Sequence, residues 1–268
     1  MKNFSNQVVI ITGGSKGIGR ETAKRFAALN AQVIITGRRE EELERTAALI
    51  RSDGGLCDYF QGDVTDIADG QRIIEAVIKK YQRIDVLVNN AGMSMRGLFE
   101  DTELDVFHQI MDINFSGAVN MTKLALSSLK ASRGSVVFIS SLSGLKGIPG
   151  IAPYCAAKMA LTAFSESLRA ELHPDHVHVG ILYVGFTEND PDKTIYTATG
   201  ERMILKRDKN NDTQDGVAKR VVHIVEKRKP QMVLTPLGKI TAVMVRFFPR
   251  LTGFVLRKFA MKSGRYQP

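Results

Sequence analysis

Cysteine is nearly absent from this chain. Cys57 and Cys155 are too few for a disulfide framework, and no CxxC pair or Cys/His cluster offers a metal site. A reducing compartment is therefore expected, and the cytoplasm fits. Long apolar runs are also missing. No stretch reaches the roughly 18 consecutive apolar residues that a membrane-spanning helix needs. The apolar run Val8–Ile11 near the N-terminus is too short for a signal-peptide core. Acidic residues stop at Glu226, and ten lysines and arginines follow it. Since the whole chain carries +9, everything up to Glu226 sums to −1. A neutral body argues against a nucleic-acid groove across the main fold, and a basic tail points to one end meeting an anionic surface.

What is present is enough apolar material, 44% of 268 residues, to bury one large core. Strand-like runs alternate with helix-patterned ones, which predicts an α/β domain around a parallel sheet. That domain is expected over residues 1–235, with a basic amphipathic helical extension over 236–268.

Gln7–Thr12 reads as a buried parallel strand and runs into Gly13-Gly14-Ser15-Lys16-Gly17-Ile18-Gly19, with helix patterning from Glu21 to Leu29. Strand, glycine turn and helix in that order make a pyrophosphate cradle. Glycines let the backbone approach the anion, and the helix start offers free N–H groups and a positive dipole end. The second strand, Gln32–Thr36, ends at Gly37-Arg38-Arg39 with no acid to accept from a ribose 2′-hydroxyl. Arg38 can instead clamp a 2′-phosphate, with Ser15 and Lys16 on the facing turn, which favours NADP(H) over NAD. Asp63 and Val64 follow a strand at Leu56–Gln61 and can reach the adenine edge, and Asp66 reads as a helix N-cap. Val86–Val88 leads into Asn89-Asn90-Ala91-Gly92, small and polar where a cofactor would cross the sheet.

Catalytic candidates come next. Asn114 falls inside a long helix read from Glu103 to Lys130, where an asparagine either back-bonds to the helix or faces a site. Val136–Ile139 is a strand ending in Ser140-Ser141, and Ser141 stands at the carboxyl end where such sheets bind ligands; Ser140 and Ser143 read as ordinary turn residues. Tyr154 and Lys158 are one helical turn apart, so they share a helix face. An ammonium beside a phenol favours the phenolate and makes Tyr154 usable as an acid or base near neutral pH.

Taken together, Thr12 to Gly19, Asn89 to Gly92, Asn114, Ser141 and Tyr154-xxx-Lys158 resemble the short-chain dehydrogenase/reductase family, in order and in spacing, over roughly residues 5 to 190. The resemblance implies a Rossmann-type doubly wound sheet of seven parallel strands in the order 3-2-1-4-5-6-7, and homodimers or homotetramers. It implies an Asn114, Ser141, Tyr154, Lys158 tetrad. Tyr154 is then the acid or base, Lys158 lowers its pKa and bonds the nicotinamide ribose, Ser141 holds the substrate oxygen, and Asn114 positions a water. After the sixth strand this chain departs from the family's pattern: Val184 stands for a proline and Asn189 for a threonine, leaving Gly185, Thr187 and Asn189 as the nicotinamide contacts.

Residues 188–215 are polar and read as the family's substrate lid, with Ile195, Tyr196, Met203, Ile204 and Leu205 either lining a greasy pocket or packing locally. In the tail, Ile240, Val243, Met244, Phe247 and Phe248 recur at helical spacing. Pro249 breaks the run, and Leu251, Phe254, Val255 and Phe259 resume it among Arg250, Arg257, Lys258 and Lys262. Such a pair fits peripheral contact with an anionic membrane, or with a partner subunit. The tail is similar to that of hydroxysteroid dehydrogenase-like members, which implies a hydrophobic carbonyl or alcohol substrate. Two alternatives stand beside NADP(H)-dependent carbonyl reduction: a 3-oxoacyl-carrier-protein reductase, and a non-catalytic NADP-binding sensor or scaffold.

Overall fold

Five consecutive β-branched residues, Val8–Thr12, form strand β1, and all five are buried. Alternation sends Val9 and Ile11 to one face of the sheet and Val8 and Ile10 to the other, each into its own core cluster. A strand covered on both faces has no use for polar residues, which is why β1 reads as a continuous apolar run. In this computed structural model, residues 3–205 and 212–262 are described. Positions 206–211 of the expected lid and Arg265 lie outside them, as do the side chains of Arg257, Phe259 and Lys262.

After β1 come α1 (Gly17–Ala27), β2 (Gln32–Gly37), α2 (Glu40–Ser52), β3 (Leu56–Gln61), α3 (Ile67–Tyr81) and β4 (Val86–Asn89). Then follow β5 (Met95–Arg96), α4 (Leu104–Met111), a π turn (Asp112–Ser116), α5 (Gly117–Ala131), β6 (Ser135–Ser141), a 3₁₀ turn (Leu142–Gly144) and α6 (Ala152–Glu171). The chain continues through β7 (His178–Val184), β8 (Thr194–Thr197), β9 (Arg202–Ile204), α7 (Gln214–Glu226), β10 (Gln231–Val233), α8 (Pro236–Phe247) and α9 (Pro249–Lys262). The main sheet runs β3-β2-β1-β4-β6-β7-β10, all neighbours parallel, which is the expected seven-stranded doubly wound order.

One core cluster joins Val9, Ile11 and Val88 to Phe26 of α1, Leu43 of α2 and Val221 of α7. The other joins Val8, Ile10 and Leu87 to Ile74 of α3, Met121 of α5 and Leu161 of α6. Asp66 caps α3 as its sequence predicts, accepting from the N–H groups of Ala68 at 2.8 Å and Asp69 at 3.4 Å.

The helix expected from Glu103 to Lys130 runs without a gap from Leu104 to Ala131 and widens into the π turn around Asn114. One reading needs correction. Ser140 is not a turn residue: it is a 3% exposed member of β6, in register with Tyr183. The polar stretch after β7, read as the substrate lid, carries two strands the sequence did not mark: β8 pairs antiparallel with β9 and parallel with β5 in a second, three-stranded sheet. Within it Ile195, Tyr196 and the adjacent Leu205 are buried, while Met203 and Ile204 are exposed.

Candidate active site

The glycine turn closes on itself. Gly13 takes a φ of +62°, and a Cβ on Gly19 would stand 2.2 Å from the Gly13 carbonyl oxygen, so α1 can start this close to β1 only without side chains. Asn90 braces the same turn: its Nδ2 donates to the carbonyls of Thr12 at 2.9 Å and Gly13 at 3.0 Å. Thr12 Oγ1 accepts from the N–H groups of Asn90 and Ala91, both at 3.0 Å. The Asn-Asn-Ala-Gly turn after β4 and the glycine turn after β1 are thus one hydrogen-bonded unit. This bracing role of Thr12 has no signal in the sequence, since a threonine at the end of a buried strand looks like any other β-former.

At the tip of β2, Arg38 lies 3.7 Å from the carboxylate of Asp63, which also accepts from Thr65 N–H and Oγ1. Ser15 faces Gly37 across the turn, its Oγ 3.8 Å from where a Gly37 Cβ would stand, and Ser15 O accepts from Thr46 Oγ1 at 2.9 Å. Ile18 packs on the first core cluster and Val64 on the second.

Ser141 ends β6, and its Oγ accepts from Ser143 N–H at 3.2 Å. Two residues before it, Ile139 offers its carbonyl to Lys158 Nζ at 3.0 Å. Lys158 is 4% exposed, and its Nζ lies 5.5 Å from the centre of the Tyr154 ring. Burial, reinforced by the charge of Lys193, brings the Lys158 ammonium down from 10.5 to about 7. The cation expected beside the tyrosine is thus itself poised to titrate near neutrality.

Asn114 both back-bonds and faces this site. In the widened turn its Nδ2 donates to Ile110 O at 2.9 Å and Met93 O at 2.7 Å, while Oδ1 is buried with no partner. A Cβ on Gly92 would lie 2.7 Å from that Oδ1 and 3.6 Å from Lys158 Nζ, so Gly92, Asn114 and Lys158 converge. Tyr154, like Met93, packs against a buried group of Met95, Val106, Ile110 and Tyr196.

Beyond β7, Thr187 is buried and its Oγ1 donates to Gly185 O at 3.3 Å. Asn189 Nδ2 holds Leu205 O at 2.9 Å and Asp190 O at 3.0 Å, and its Oδ1 is a second buried acceptor without a partner.

The residues fit a dinucleotide. A close-packed glycine turn opens onto the start of a helix, cations stand at the tip of β2, and two orphaned buried acceptors, Asn114 Oδ1 and Asn189 Oδ1, can take donors from water or a carboxamide. Among the described residues no group of His, Cys, Asp and Glu is arranged to hold a metal ion. Two carboxylates at this end of the site, Asp190 and Asp192, are not legible in the residues, because they sit in a stretch with no periodicity to mark them.

Residues 7–199 match the short chain dehydrogenase family model. The chain is 34% identical over 270 residues to rat dehydrogenase/reductase SDR family member 7B, covering 97% of this chain and 83% of that one. It is 38% identical over 190 residues to 11-beta-hydroxysteroid dehydrogenase-like 4A of Arabidopsis thaliana, covering 70% of this chain and 63% of that one. Among solved structures it resembles a single-substitution variant of actinorhodin polyketide ketoreductase with NADPH, at a TM-score of 0.67 and 29% identity over 70% of this chain and 73% of that one.

Proposed function

The chain belongs to the short-chain dehydrogenase family and is an oxidoreductase of that kind, and from this premise we propose an NADP(H)-dependent reductase of hydrophobic carbonyl compounds. The observation that carries the proposal is Lys158: a buried amine held by Ile139 O, one helical turn from Tyr154 and 5.5 Å from its ring. When bound, the nicotinamide supplies the hydride. Tyr154 gives its proton to the carbonyl oxygen, which the Ser141 hydroxyl orients. The charged form of Lys158 favours the phenolate left behind. Asn114 Oδ1, a buried acceptor near Lys158, fits a water through which the proton on Tyr154 is restored.

Cofactor choice rests on the tip of β2, where Gly37-Arg38-Arg39 carries no acid of its own and Arg38, Ser15 and Lys16 suit a 2′-phosphate. The remaining contacts in this reading are Gly13, Gly17, Ile18, Gly19, Asp63, Val64, Asn90, Ala91, Gly92, Gly185, Thr187 and Asn189. The apolar wall of Met93, Met95, Val106, Ile110 and Tyr196 around Tyr154 favours a lipid- or steroid-like substrate. A homodimer or homotetramer is part of the same reading.

No helix among the described residues is long and apolar enough to cross a membrane. Along α8, Phe248 and α9, however, Ile240, Val243, Phe247, Phe248, Leu251, Phe254 and Val255 are each about half exposed or more, and the charged residues between them, Arg246 and Arg250, are both basic. That pattern supports peripheral docking of the extension on an anionic bilayer. The intact chain should float with phosphatidylserine vesicles, and Phe247→Asp with Phe254→Asp should leave it at the bottom of the gradient. Failure of the intact chain to float would remove the membrane contact, and equal flotation of both would take Phe247 and Phe254 out of it.

A second reading, reduction of a 3-oxoacyl thioester on a carrier protein, is favoured by the likeness to a polyketide ketoreductase. One experiment separates the readings. NADPH oxidation is followed with a panel of steroid and aliphatic ketones and acyl thioesters, for the natural chain and Tyr154→Phe. We expect ketone turnover that falls at least about 100-fold in the variant, with NADPH affinity nearly unchanged. Turnover of thioesters alone would select the second reading. NADPH binding with no turnover of anything would leave a sensor.

A further inference from the structure

The start of α1 is already in contact with an anion, and it belongs to the chain itself. Gly17 N–H donates to Asp190 Oδ2 at 3.0 Å, Arg20 Nη2 reaches Asp190 Oδ1 at 3.1 Å, and Gln214 Nε2 reaches the same oxygen at 3.4 Å. Helix α1 has no acidic residue in its first turn, and its N-cap, Lys16, makes no side-chain cap. Its exposed donors and positive dipole end are therefore served by a carboxylate about 170 positions away in sequence. Two residues on, Asp192 pairs with Lys16, whose ammonium also sits 2.8 Å from Glu42. Burial alone would lower the Lys16 pKa, but the hydrogen bonds to Asp192 and Glu42 outweigh it and hold the ammonium above its ordinary range. Carboxylates and phosphates accept from the same amide and cationic donors in the same way.

We propose that the turn Asp190–Asp192 is an internal anion lodged on the phosphate sites of the cradle, so that cofactor binding and release of this turn are one exchange. The inference rests on the dinucleotide reading above, and it adds two residues that set how tightly, and with what selectivity, the cofactor is held. Asp190 competes with the pyrophosphate, which every nicotinamide dinucleotide carries. Asp192 competes for Lys16 with the 2′-phosphate, which NADPH alone carries. The turn connects to the catalytic wall. Lys193 N–H donates to Asp190 O at 3.0 Å, β8 starts at the next residue, and Tyr196 of β8 packs in the group that holds Tyr154. Tyr196 N–H also donates to Ser94 O at 3.0 Å, tying β8 to the segment beside Met93 and Met95. An exchange at the phosphate end is thus felt at the substrate end.

The test measures binding and backbone protection, with no turnover required. In titrations followed by nucleotide fluorescence, Asp190→Asn should tighten both NADPH and NADH, on the order of tenfold, because the competent state no longer has to displace a charge. Asp192→Asn should tighten NADPH by several-fold and leave NADH within about twofold. In hydrogen exchange, NADPH should increase exchange across residues 188–197 of the natural chain. Inorganic pyrophosphate in excess should do the same in the natural chain and add nothing in Asp190→Asn. Weaker binding of both dinucleotides by Asp190→Asn, or 188–197 growing more protected when pyrophosphate or NADPH binds, would overturn the exchange and make the turn a clamp. Should pyrophosphate release the turn while neither dinucleotide binds, the functional reading fails and the internal anion stands.

Discussion

Burial of Lys158 makes a prediction about folding that needs no substrate. The amine is 4% exposed, and its pKa falls from 10.5 to about 7, through burial first and the Lys193 charge second. Between those two pH values the unfolded chain holds a proton that the folded chain does not, so stability must rise with pH across that window. Below about pH 7 both states hold it, and a charged Lys158 costs the fold up to about 5 kcal/mol at about 1.4 kcal/mol per pH unit. Lys158→Met fills the space of the stem and removes the charge. It also leaves Ile139 O without its donor, about 1–3 kcal/mol that does not vary with pH. Integrating the linkage, the natural chain should gain about 3 kcal/mol relative to Lys158→Met on going from about pH 6 to pH 9. Urea unfolding of both proteins without cofactor, at several pH values, gives that difference, since titrating groups away from Lys158 cancel. A difference that stays constant within about 0.5 kcal/mol would show that Lys158 keeps its proton in the folded chain as it does in the unfolded one, and the account of it as a buried, titrating amine would fall.

Two further perturbations address other levels of the structure. Phe26 is fully buried and meets Phe4 edge to face at 5.1 Å, so Phe26→Ala should cost about 3–5 kcal/mol and lower the Tm by roughly 10 °C; a loss below about 1 kcal/mol in thermal unfolding would mean that this layer repacks freely. Arg38→Asp should weaken NADPH by about 10- to 100-fold while NADH changes little, as expected for one lost charge-assisted contact to a 2′-phosphate; unchanged discrimination in binding titrations would remove Arg38 from cofactor choice.

Much of this architecture is legible in the residues because it depends on patterns that are local. Val8–Thr12 can only be a buried strand, and the glycines from Gly13 to Gly19 tolerate a 2.2 Å approach that nothing else does. Asp66 caps α3 through atoms two and three residues away. The pairing of β8 with β5 is different in kind. Its partners are about a hundred positions apart, joining Met95 to Tyr196, and β5 is two residues long, too short to leave any periodicity. The carboxylates of the 190–192 turn are hidden for the same reason, since their partners, Lys16, Gly17 and Arg20, lie on the far side of six strands of sequence, β2 to β7.

Asn114 shows where local reading stops and geometry takes over. Helix propensity says only that an asparagine inside a helix is unfavourable and needs a reason. The reason is a turn one residue wider than an α turn, which a propensity scale does not register. Nδ2 bonds Ile110 O within that turn and Met93 O beyond it, so both amide protons have acceptors inside the protein. The other side of the amide is left over. Oδ1 is buried, has no partner, and stands with Lys158 Nζ around the bare Cα of Gly92. A buried acceptor without a donor costs about 1–3 kcal/mol, and a water at Oδ1, as the proposed proton path requires, would offset that cost. Asn114→Leu, which keeps the branched outline of the side chain without the amide, separates the two roles. Should it leave the pH profile of turnover unchanged and alter only stability, the π turn is a packing device and Asn114 has no part in the proton path.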